Sequence, residues 1–214
     1  LGLADRTAER IRGLYGERPW GLIQVDLRLA DGSTLRWATG PGWRASDAGP
    51  WRLADQFEGC LWDGSRDDAE AWLLPGFDDT PWQTACCTPP WQDLEEPASG
   101  LVRAHPPLPA QRIDPRPDGR MIIDFGQNLG GWCRLRIRGR AGQEVRLRHA
   151  EILDEQGDLN RDNLRMQLHP GAPQEDRWLL GEDREKDLEP VFTRHGFRYA
   201  EVAGLEPDQI LSVE

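Results

Sequence analysis

The sequence predicts an all-β chain of two antiparallel β-sandwich domains of the jelly-roll kind. Two patterns predict it. Apolar and polar residues alternate in short runs, and clusters of Gly, Pro, Asn and Asp separate those runs in both halves. A third observation agrees: only residues 4–14 support a helix.

Taken in order, residues 22–29 set Ile23, Val25, Leu27 and Leu29 at period two. Asp31-Gly32 then turns the chain, and Leu35, Trp37 and Thr39 resume the alternation, so a hairpin is expected. Residues 40–60 are rich in Gly, Pro, Trp and Asp and read as short strands and loops, with Trp43 and Trp51 over the ends of a sheet. A turn-rich stretch follows through Trp62-Asp63-Gly64, Asp67-Asp68, Trp72 and Pro75-Gly76-Phe77-Asp78-Asp79. Eight of the 17 prolines fall between residues 88 and 119, a density that predicts an extended connector with no ladder or helix. The expected division is therefore 1–87, a connector at 88–118, and a second domain at 119–214.

In the second half, residues 120–125 form a strand that leads into a turn through Gly126, Gly130 and Gly131. Residues 132–138 alternate Cys133, Leu135 and Ile137 with Arg134, Arg136 and Arg138, so three guanidinium groups share one face. That face is either solvated or a groove for carboxylates of a neighbouring domain. A turn at 139–142 joins it to residues 144–152, where Val145, Leu147 and His149 oppose Arg146 and Arg148. Residues 154–173 are polar and turn-rich, 174–180 read as a short strand, and 191–202 as a strand pair or one strand bent at Gly196.

Composition excludes several functions. A net charge of −11 is wrong for nucleic acid or an anionic membrane, and no apolar run is long enough to span a bilayer. A soluble protein is expected, cytoplasmic or secreted. The chain starts with Leu rather than Met, which suggests a truncated product, and residues 1–13 lack the features of a secretory signal. Ten Trp against two Tyr suit sandwich cores and corners, or a sugar-stacking surface. Cys60, Cys86, Cys87 and Cys133 lack metal-ligand spacing and read as free thiols. The four His are scattered; His195 is the one with a motif around it.

The most specific segments are DFGQN at 124–128 and HGFRY at 195–199, both at strand ends. With Trp43-Arg44-Ala45-Ser46, Trp62-Asp63-Gly64, the Pro75 to Trp82 stretch, Gly131-Trp132, the run RHAEILD at 148–154 and Asn163-Leu164-Arg165, they occur in one frame along nearly the whole chain. In this the chain resembles the front part of bacterial α-L-rhamnosidases of glycoside hydrolase family 78. The resemblance implies an amino-terminal sugar-binding-like jelly roll followed by a concanavalin-like β-sandwich. It also implies an incomplete first domain, because the family's strands upstream of Tyr15 have no counterpart in residues 1–14.

The family hydrolyses terminal α-L-rhamnosyl groups with inversion, using carboxylates on an (α/α)6 barrel that follows the sandwich. No catalytic residue carries over to this sequence. The implied partners are that barrel and rhamnose-containing glycans, and the implied role is ancillary and non-catalytic. An autonomous carbohydrate-binding module or a structural interaction domain is the alternative. Some relatives bind a terminal sugar with calcium in the first module; the matching positions here are Trp62, Asp63, Asp67 and Asp68, with Trp72 as a stacking platform. A solvated acidic turn is the other reading, and no cofactor is otherwise required. Asp124, Gln127, Asn128, His195 and Arg198 are expected to line one end of the second sandwich, satisfying turns and docking the barrel, or touching substrate.

Overall fold

The computed structural model describes residues 20–56, 58–67, 71–87, 103–164 and 174–214. The helix expected at 4–14 lies outside them, as do Asp68 and residues 88–102 of the expected connector. The described residues are almost entirely strands and turns.

The expected first hairpin forms from β1 (Gln24–Arg28) and β2 (Thr34–Ala38) around Asp31-Gly32, with Val25 opposite Trp37 and Leu27 opposite Leu35. These apolar residues share one face, and all four remain exposed. Asp26 and Arg36 pair on the opposite face. Farther on, β3 (Arg44–Ala45) is followed by a second hairpin, β4 (Trp51–Asp55) and β5 (Gly59–Asp63), and then by β6 (Gln83–Thr84), which pairs with β3.

The second hairpin goes beyond the expected short strands and loops. Its β5 pairs in parallel with β13 (Glu175–Leu179), with Trp62 opposite Trp178. Two close approaches make this pairing depend on glycine. A Cβ on Gly59, whose φ is +107°, would lie 2.1 Å from the Glu175 carbonyl oxygen. Gly64 and Gly181 face each other so tightly that a Cβ on Gly181 would lie 2.2 Å from the Gly64 carbonyl oxygen. The front of the chain thus supplies two strands to a sheet built mainly by the back.

That sheet has seven strands in the order β4-β5-β13-β10-β15-β8-β7. Its other members are β7 (Arg112–Pro115), β8 (Met121–Gly131), β10 (Glu144–Ala150) and β15 (His195–Ala203). Part of the expected connector is therefore a strand: β7 sits at the sheet edge, where Pro115 need not donate to a ladder. The Gly-rich turn expected after Phe125 is absent, because β8 runs on through Gly126 to Gly131. β15 is one strand, and its register against β8 shifts between Phe197 and Tyr199 rather than at Gly196.

A second sheet holds β9 (Leu135–Gly139) between β14 (Arg184–Leu188) and β16 (Ile210–Val213). β11 (Ile152–Leu153) and β12 (Leu159–Asn160) form a small two-stranded sheet of their own against β10 and β15. The core fills the space between the large and small sheets, with Met121, Ile123, Val145, Leu147, Trp178 and Val202 from one side meeting Leu135, Ile137, Leu188 and Val213 from the other. The alternation of β9 is reproduced: Leu135 and Ile137 are buried and the arginines lie outside. Those arginines pair within the chain, Arg134 with Glu214 and both Arg136 and Arg138 with Glu185.

Candidate functional site

The acidic turn is built by the end of β5 and the 3-10 turn Gly64–Arg66. Asp63 caps that turn, accepting from the Ser65 backbone N–H at 3.1 Å and from the Ser65 hydroxyl at 2.6 Å, and it pairs with Arg66 at 3.2 Å. The Ser65 bond, ahead of the guanidinium, holds its carboxyl below the usual range. Asp67 receives Lys186 at 3.1 Å and Arg184 at 3.8 Å. Both carboxylates have cationic partners within the chain.

Trp62, expected among the sugar-site residues, faces inward. It is buried in the core, and the Lys186 ammonium sits 3.5 Å from the centre of its ring, so its faces are covered. Trp72, on the 3-10 turn Ala71–Leu73, is exposed. A shallow depression beside Trp62 is lined by Leu180, Gly181, Glu182, Arg184 and Lys186, with Glu182 as its one carboxylate.

The paired motifs resolve into separate sites. Asp124 on β8 accepts two bonds from Arg198 on β15, both at 2.9 Å, and a third from the Gly126 N–H at 2.7 Å. The Arg198 guanidinium holds the Asp124 carboxyl below its ordinary value. Asn128 instead donates to Glu151 at 3.1 Å, while Gln127 is exposed.

His195 leaves this group and points inward. Its Nε2 donates to Asp176 Oδ2 at 3.0 Å, both side chains being fully buried. Asp176 on β13 also accepts from the Cys60 backbone N–H at 3.0 Å. Burial opposes its ionisation, but the His195 bond and the neighbouring imidazoles outweigh that, and its carboxyl titrates below the usual range. His149 on β10 stacks against His195 with ring centres 4.3 Å apart, and its Nδ1 donates to the Gln174 carbonyl at 3.2 Å. Burial lowers its pKa to about 3, so the ring is neutral. Burial, with the Asp176 charge added, also pushes the Cys60 and Cys133 thiols up. Sequence reasoning missed this cluster, because Asp176 carries no motif and His149 reads as one more inward position of a strand.

A last polar network lies on the outer face of the large sheet. The buried Glu201 receives Arg120, and Arg148 at 3.5 Å, while Glu175 takes Arg148 at 2.7 Å. These acids are neutralised by neighbouring strands. No helix among the described residues is long and apolar enough to cross a membrane.

The α-L-rhamnosidase N-terminal domain matches residues 3–106, and the bacterial α-L-rhamnosidase concanavalin-like domain matches residues 115–214. An α-L-rhamnosidase of Streptomyces avermitilis is 42% identical over 194 residues, covering 89% of this chain and 18% of the relative. The crystal structure of the Streptomyces avermitilis α-L-rhamnosidase complexed with L-rhamnose superposes with a TM-score of 0.81 at 39% identity, over 93% of this chain and 19% of that one. The native α-L-rhamnosidase of Aspergillus terreus gives a TM-score of 0.77 at 30% identity, over 90% and 22%. This chain spans about a fifth of the length of these relatives. With both of its halves matched, the chain belongs to the bacterial α-L-rhamnosidase family, whose amino-terminal and concanavalin-like domains it carries.

Proposed function

We propose that this chain is the ancillary, non-catalytic front portion of an α-L-rhamnosidase, seating the (α/α)6 barrel that hydrolyses terminal α-L-rhamnosyl groups and holding rhamnosylated glycan near it. One observation carries the reading: the chain matches two β-sandwich domains that make up about a fifth of each relative. Site chemistry supports it. An inverting glycosidase needs two carboxyl groups roughly 6.5–9.5 Å apart across an open, water-holding cleft. Among the described residues, Asp63, Asp67, Asp124, Asp176, Glu175 and Glu201 are each bound to basic or ring groups of the chain itself.

The test is a pair of assays. The purified chain releases no product from an aryl α-L-rhamnoside, and it co-sediments with a separately expressed (α/α)6 barrel of a family member. Turnover by the chain alone, or failure to associate with any such barrel, overturns the proposal. The exposed Trp72 favours glycan contact in the front half. Calorimetry with L-rhamnose, with and without calcium, checks that arm: binding heat lost in Trp72→Ala supports it, and no heat in either condition removes it.

A further inference from the structure

Three adjacent strands of the large sheet, β13, β10 and β15, each send one metal-capable side chain into the same interior spot. One donor atom from each of His149, Asp176 and His195 lies within 4.8 Å of the other two, and all three side chains are buried. We propose that these residues form a structural site for a divalent cation of the zinc class, with the neighbouring Cys60 thiol turning in as its fourth ligand.

The tautomers support the assignment. Donation from His149 Nδ1 to a backbone carbonyl is the outer bond that orients a metal-binding imidazole and leaves the Nε2 lone pair free. That Nε2 is buried and has no hydrogen-bond partner. Leaving a buried polar atom orphaned is costly, and a ligated cation would satisfy it.

The donors also select the ion. Two imidazoles, a carboxylate and a thiol suit zinc, whereas calcium and magnesium take oxygen. Cys60 neighbours Asp176, its backbone N–H donating to Asp176 Oδ1 at 3.0 Å, and its sulfur lies outside the 4.8 Å group, so a side-chain shift brings it to the ion. On entry the cation accepts the His149 Nε2 pair, an Asp176 oxygen pair and the His195 Nε2 pair. The proton that His195 Nε2 now donates to Asp176 moves to the unpartnered Nδ1 of the same ring, which stays neutral, and ligation by Cys60 releases its thiol proton to solvent. The four ligand residues lie on β5, β10, β13 and β15, so one ion would fasten the front hairpin to three strands of the back.

The cluster is sealed, so metal is supplied during refolding. The chain carries Cys86→Ser and Cys87→Ser, because those two exposed thiols would capture zinc on their own. After gel filtration, elemental analysis is expected to find about one zinc per folded chain, and refolding with cobalt to give the intense visible bands of a tetrahedral site with a thiolate charge-transfer band. His149→Gln should weaken retention at least about 100-fold. Cys60→Ser should keep a cobalt spectrum but lose the charge-transfer band, which decides the matter even where His149→Gln fails to fold. Folded protein that retains no zinc, or zinc retained equally by a folded His149→Gln variant, overturns the site. A charge-transfer band that persists in Cys60→Ser removes Cys60 from it.

Discussion

The hairpins β1–β2 and β4–β5 both belong to the front half, yet they end in opposite environments. β1–β2 has the cleaner alternation, and every one of its residues is exposed. β4–β5 has a poorer pattern, and its second strand is buried against β13, with Cys60 at 0% and Trp62 at 6% exposure. Alternation fixes which side chains share a face. Whether that face is covered depends on a partner strand that periodicity does not reveal.

The sharpest way to break this contrast is a Cβ at each turn. Gly59→Val puts carbon into the Glu175 carbonyl and strains a positive φ, so a loss of more than about 4 kcal/mol in denaturant unfolding is expected. Gly32→Val also sits at positive φ but meets no atom within 4 Å, and should cost only about 1–2 kcal/mol. Equal losses would show that backbone strain, rather than the splice onto β13, sets the difference.

Aromatic truncation gives the next largest effect. Trp62→Ala should destabilise by about 3–5 kcal/mol, since it empties a core position and strips the Lys186 ammonium of its ring. Trp37→Ala, on the bare face of β2, should change stability by less than about 0.5 kcal/mol in the same measurement.

The smallest effect comes from a surface pair outside both hairpins. Arg198→Ala should lower stability least of these variants, because Arg198 is more than a third exposed and its pairing with Asp124 is screened by water. Its sign with pH is definite. Folding lowers the Asp124 pKa, so the pair's contribution is present above the unfolded value near 3.8 and is lost as pH falls through the lower folded value. Acid unfolding curves of the wild type and Arg198→Ala should therefore converge below that range.

The strands with apolar alternation were legible in the sequence: β1, β2, the start of β8, β9, β10, β13 and β15 all fall where the pattern puts them. β14 was not, because as an edge strand reading Arg-Glu-Lys-Asp-Leu it buries only Leu188. β7 was hidden by its proline, and β4–β5 by the lack of any local sign of a parallel partner. Asp124 with Arg198 was legible as a pair of motif residues. His195 was legible as special but not in its direction: the partners that draw it inward, Asp176 and His149, come from strands whose meeting is a tertiary event.

The splice also has a consequence for synthesis. Cys60 and Asp176, joined by a hydrogen bond, stand 116 positions apart. At about 5–20 residues per second, a ribosome making this chain leaves β5 waiting roughly 6–23 seconds for β13. Through that interval Cys60 and Trp62 have no sheet to cover them, and nascent copies of this hairpin on neighbouring ribosomes are one another's nearest available edge.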